Sequence, residues 1–129
     1  MKPINSRLHG ILDYLTVVVF ALAPSVLGLT GAPAGLSYAL AVVHLLVTLA
    51  TDFELGVARL LPARWHGWIE LVVGPVLVVV PWLLGFSDDA TERTFVVGAG
   101  VVIFVVWALT AYQGRGTAAL RGSNPTGAA

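Results

Sequence analysis

The sequence predicts an all-α fold, a four-helix transmembrane bundle built from two parallel-repeat helical hairpins. Three observations carry this reading: a lipid-like composition, four apolar runs of spanning length, and an internal duplication. Hydrophobic residues make up 57% of the chain and charged residues 11%, with a mean hydropathy of +0.89. Soluble domains carry roughly 25% charged residues, so most of this surface needs lipid as its solvent. A length of 129 residues fits a single membrane domain, 1–129.

Crossing about 30 Å of hydrocarbon takes roughly 20 apolar residues in a helix. Four segments qualify, at 8–29, 34–51, 65–86 and 94–112. The first follows Lys2 and Arg7 but runs about 22 residues, longer than the roughly 7–15 of a signal core. It reads as a retained helix. The stretch "TGAPAG" at 30–35 predicts a tight turn that makes the first two spans a hairpin, 7–52. The connector 52–64 is longer and amphipathic. "SDDATER" at 87–93 is a short acidic turn with helix-start residues, closing a second hairpin, 64–112. The Gly-rich polar tail 113–129 is expected to be flexible.

Lys2, Arg7, Arg59, Arg64, Arg115 and Arg121 fall on one side of this arrangement and only Arg93 on the other. Cationic residues favour the cytoplasmic side, so both termini are expected there. Trp65, Trp68, Trp82, Trp107 and Tyr112 lie near span ends, where interfacial aromatics belong. Pro24, Pro75 and Pro81 fall inside spans, which membrane helices accept where neighbours satisfy the freed carbonyls. Gly98, Ala99 and Gly100 are expected to let the fourth helix approach a neighbour closely.

A shift of 57 positions superposes 7–29 on 64–86. It matches Arg7 with Arg64, His9 with His66, Gly10 with Gly67, Val19 with Val76, Pro24 with Pro81, Leu27 with Leu84 and Gly28 with Gly85. Asp13 meets Glu70 in the same register. Each copy spans the membrane twice, so the two run parallel about an axis along the membrane normal. The segment "WIELVVGPVLVVVPWLLGF" resembles the repeat of SPW-repeat integral membrane proteins, through Trp68, Gly74, Pro81, Trp82, Leu84, Gly85 and Phe86. Val80 stands where that signature has Ser, and Ser25 replaces its Trp in the first copy. The resemblance implies a multi-span bacterial membrane protein and supplies no catalytic residue.

Ionisable residues inside spans are expensive to bury unpaired, and so are functional candidates. His9 and Asp13, like His66 and Glu70, are i, i+4 pairs on one helix face. At 1.5 Å per residue, Asp13 and Glu70 lie roughly 8 Å and His44 roughly 10 Å from the same membrane face. The duplication therefore predicts one cluster of Asp13, Glu70, His44, His9 and His66, with Val101 in the place of His44 in the second copy. Thr16, Thr48 and Thr110 are expected to bond back to their own helix carbonyls.

Zero net charge without a basic run gives no support for nucleic-acid binding, and the lack of cysteine excludes thiol chemistry and thiolate metal sites. No nucleophile elbow or phosphate-cradling loop occurs, so no catalytic residue and no enzymatic activity are expected. The first reading is a structural, assembly or accessory protein packing on itself or on a partner subunit, without a cofactor. In it the acids pair with His44, Arg7 or Arg64 to fix the hairpin register. Two others stay open: passage of protons, a cation or a small ligand through the cluster, and binding of a metal or haem by the histidines and carboxylates.

Overall fold

A computed structural model of the chain describes residues 2–112; the tail expected at 113–129 lies outside the described residues. Four helices run in chain order, α1 (Ser6–Leu27), α2 (Gly31–Ala50), α3 (Ala63–Leu83) and α4 (Ala90–Leu109), each long and apolar enough to cross a membrane. Two short strands, β1 (Thr51–Asp52) and β2 (Leu61–Pro62), lie between α2 and α3.

The helix ends explain the bounds. Asn5 caps α1, its side chain accepting from the Leu8 amide at 2.8 Å, and Asp89 does the same for Glu92 at the start of α4. Both first helices of the repeats end alike. Gly28 (φ 68°) and Gly85 (φ 76°) take the left-handed conformation that glycine adopts without a Cβ penalty. Leu29 and Phe86 then return their amides to the Pro24 and Pro81 carbonyls at 3.0 and 2.9 Å, and bury their side chains. The first turn is tighter than "TGAPAG" suggests, because α2 starts at Gly31. Pro33 fits its opening turn, where no intrahelical N–H bond is lost.

α1 packs along α2 and α3 along α4, around a core of Phe20, Ala41, Leu77, Val80, Phe86, Val96 and Ile103. Pro24 removes the donor that would reach the Phe20 carbonyl, and the buried Ser37 hydroxyl of α2 fills that vacancy at 2.7 Å. Of the expected packing glycines, Gly100 is the one in contact: a Cβ there would lie 2.6 Å from the Gly74 carbonyl. Gly98 faces open space. Outward residues such as Leu15, Val18, Leu22, Val42, Leu46, Val72 and Val102 are exposed, as a lipid-facing surface requires.

At one end the hairpins are joined by backbone. Thr51 and Asp52 pair in parallel with Leu61 and Pro62, while Ile4 pairs in parallel with Thr110. Ile4 and Leu61 are 57 residues apart, as in the first helices; Thr51 and Thr110 are 59 apart (110 − 51). The second helices of the repeats therefore carry a two-residue offset. It corrects the counterpart of His44: that position is Ile103, which is buried, and not Val101, which is exposed. The connector 53–60 folds back on α2, with Val57, Ala58 and Leu60 donating to the Leu49 and Ala50 carbonyls. Those carbonyls have no partner within the helix.

Candidate functional site

Five side chains meet at this joined end, between the hairpins. His9 and Asp13 come from α1, His44 from α2, and His66 and Glu70 from α3. Four are buried, with 1–4% exposure for His9, Asp13, His66 and Glu70. His9 Nε2 lies 3.4 Å from Asp13 Oδ1 and 3.5 Å from Glu70 Oε2. His66 Nε2 lies 3.4 Å from Asp13 Oδ2 and 3.6 Å from Glu70 Oε1. His44 Nε2 lies 3.4 Å from Asp13 Oδ1. All three Nε2 atoms and Asp13 Oδ2 are buried without a hydrogen-bond partner. The arginines are elsewhere: Arg7 and Arg64 are exposed, and among the described residues neither pairs with an acid of the cluster.

Two threonines orient the imidazoles, each from the opposite hairpin. His9 Nδ1 meets Thr110 Oγ1 at 3.0 Å, and His66 Nδ1 meets Thr51 Oγ1 at 2.9 Å. Each hydroxyl spends its one proton on a carbonyl a turn back, Thr110 on Val106 and Thr51 on Val47, both at 2.6 Å. Those carbonyls have lost their usual donors, because the Thr51 and Thr110 amides turn to Thr48 and Trp107 instead. Each Oγ1 can therefore only accept from imidazole, so Nδ1 carries the hydrogen. In the neutral imidazoles the Nε2 lone pairs then point at the carboxylates.

Tyr112 closes the site. Its hydroxyl donates to Glu70 Oε2, and its ring stands edge-on to His9 at 5.2 Å between centroids. Burial, then the nearby Glu70 charge, push the phenol well above its usual range, so it stays a neutral donor. The glycine of each His-Gly pair makes room for an aromatic cover. A Cβ on Gly67 would meet the Tyr112 ring at 3.0 Å, and one on Gly10 would lie 2.1 Å from Phe53 Cε2. Phe53 and Tyr112 are again 59 apart (112 − 53). A cavity of about 10 Å³ lies beside them, and another of about 30 Å³ lies between His44 and His66.

All five candidates from the sequence are thus in one place. Thr51, Thr110 and Tyr112 were not among them as site residues. Thr16 and Thr110 bond back to their helices as expected, but the Thr48 hydroxyl is buried and has no partner.

The model of the SPW repeat domain matches residues 7–112, which takes in both hairpins. The chain belongs to the SPW repeat family. No curated protein and no solved structure matches it. As an SPW repeat protein with four span-forming helices, it is a small multi-pass membrane protein.

Proposed function

We propose that this SPW repeat protein is a non-enzymatic cation-binding protein of a bacterial cytoplasmic membrane, with both chain ends and the cluster on the cytoplasmic side. One observation carries the reading: the tautomers set by Thr51 and Thr110 aim two Nε2 lone pairs at two carboxylates. Lone pair facing anion is repulsive, and it is costly where little water can screen it. A cation among these atoms, a proton or a metal ion, turns every such contact into an attraction. The enclosure of the site supports holding the cation over passing it, and the ligands' origin on both hairpins makes the bound ion part of their assembly. Nitrogen-15 NMR of the histidines in nanodiscs tests this, over roughly pH 5–8 where imidazole changes charge. His9 and His66 should keep a protonated Nδ1, with Nε2 protonated or metal-shifted. Free, pyridine-like Nε2 signals at every pH and with every added divalent ion would overturn it.

A further inference from the structure

Resting on that reading, we propose that the cation is a divalent transition metal of the Zn²⁺ class, held tetrahedrally by His9 Nε2, His66 Nε2 and one oxygen each from Asp13 and Glu70. The spacing favours a metal ion over a shared proton. Hydrogen bonds between nitrogen and oxygen run about 2.7–3.2 Å, whereas His9 Nε2 stands 3.4–3.5 Å from one oxygen of each carboxylate and His66 Nε2 stands 3.4–3.6 Å from the other oxygen of each. A tetrahedral ion with bonds of about 2.0–2.1 Å sets its ligand atoms about 3.3–3.4 Å apart. An octahedral ion with the same bonds would need about 2.9 Å. One donor atom from each of the four residues lies within 4.8 Å of the others, so small rotations of the two carboxylates close the set.

Chemistry and charge agree with the spacing. Imidazole with carboxylate suits zinc, whereas calcium and magnesium take oxygen ligands. Two carboxylates, two neutral imidazoles and a divalent ion sum to zero, the cheapest state for a group buried in a membrane protein. The surroundings are those of a metal site as well. Ligating histidines characteristically donate their second ring nitrogen to a fixed acceptor, which Thr110 and Thr51 provide. Tyr112 holds the Glu70 oxygen that faces His9. His44 approaches Asp13 from outside the quartet and is a positioning residue for that carboxylate. The cavities at the cluster, of about 10 and 30 Å³, suit an ion better than a haem, since cofactor sites begin at roughly 300 Å³.

The test uses the full chain in nanodiscs, stripped of metal and titrated with Zn²⁺ and, separately, Co²⁺. One ion per chain should bind, and the Co²⁺ form should show the intense visible bands of tetrahedral coordination. Glu70→Gln and His66→Ala should each weaken Zn²⁺ binding by more than about 100-fold, and His44→Ala and Thr110→Val by about 10–100-fold, the range for outer-shell partners. Helical circular dichroism and a monodisperse elution profile certify each variant. If the ligand variants fail to fold, the Co²⁺ spectrum of the unmodified chain and the Thr110→Val affinity decide. Absent binding, a weak octahedral spectrum, or full affinity in a folded Glu70→Gln protein would overturn the metal. The histidine NMR separates the two readings. Protonated Nε2 signals with no metal response would leave a proton-binding protein, and free Nε2 signals would remove both.

Discussion

Thr110 and Thr51 show how one hydroxyl can decide the chemistry of a site. Each is a helix-end residue whose proton repairs a broken carbonyl ladder, and the repair leaves only a lone pair for imidazole. Thr110→Val keeps the shape but strands the Nδ1 hydrogen of His9 in a buried place. An unpartnered buried donor costs about 1–3 kcal/mol, so thermal unfolding in nanodiscs should shift down accordingly. Tyr112→Phe should leave the alkaline absorbance titration of the folded protein unchanged, since the raised phenol contributes no phenolate before unfolding. A lost phenolate signal would mean that Tyr112 titrates normally. His9, Asp13, His66 and Glu70 were legible because i, i+4 spacing and duplication place them on facing helices, and His44 because depth can be counted. The threonines and Tyr112 were not. They lie just past helix ends, 101 and 42 residues from the groups they hold in the His9–Thr110 and Glu70–Tyr112 bonds, and the two-residue offset hides their correspondence from a uniform shift.

At the scale of the helix, proline and glycine do different work in the two hairpins. Pro24 would leave the Phe20 carbonyl bare in hydrocarbon, and Ser37 answers it from α2. Ser37→Ala should therefore destabilise the protein by about 0.6–1.7 kcal/mol, the range for interhelical hydrogen bonds in membranes. In a Pro24→Ala background the same change should cost almost nothing, because residue 24 again has an amide to offer. Equal losses in both backgrounds would refute the repair. The second hairpin closes on backbone instead. Gly100→Ala sets a Cβ against the Gly74 carbonyl and should cost about 1–3 kcal/mol as overpacking, while Gly98→Ala meets nothing and should be neutral or slightly stabilising. Composition alone marks "GAG" as a packing stretch. Which glycine touches depends on helix rotation, which only the packed structure fixes.

For the whole molecule, the duplicated hairpins bring two entry motifs, two strand-like joints and one polar cluster to the same end, and leave the opposite end to the turns at 28–30 and 84–89. The bilayer then sees an apolar bundle whose buried ionisable cluster, the one among the described residues, sits at the joined end with the exposed cations Arg7, Arg59 and Arg64. The proposed orientation, from the cation asymmetry, has that end facing the cytoplasm, where a buried site would meet cellular rather than external ions. The chain has no cysteine, so orientation can be read without background. Arg59 lies in the connector and Asp88 in the opposite turn, both exposed. Arg59→Cys should resist a membrane-impermeant thiol reagent in intact cells and react in inverted vesicles, and Asp88→Cys should do the reverse. Swapped labelling would place the cluster at the outer face and change the ions available to it. Labelling of both positions from one side would contradict four membrane crossings, since two turns separated by a single span must face opposite compartments.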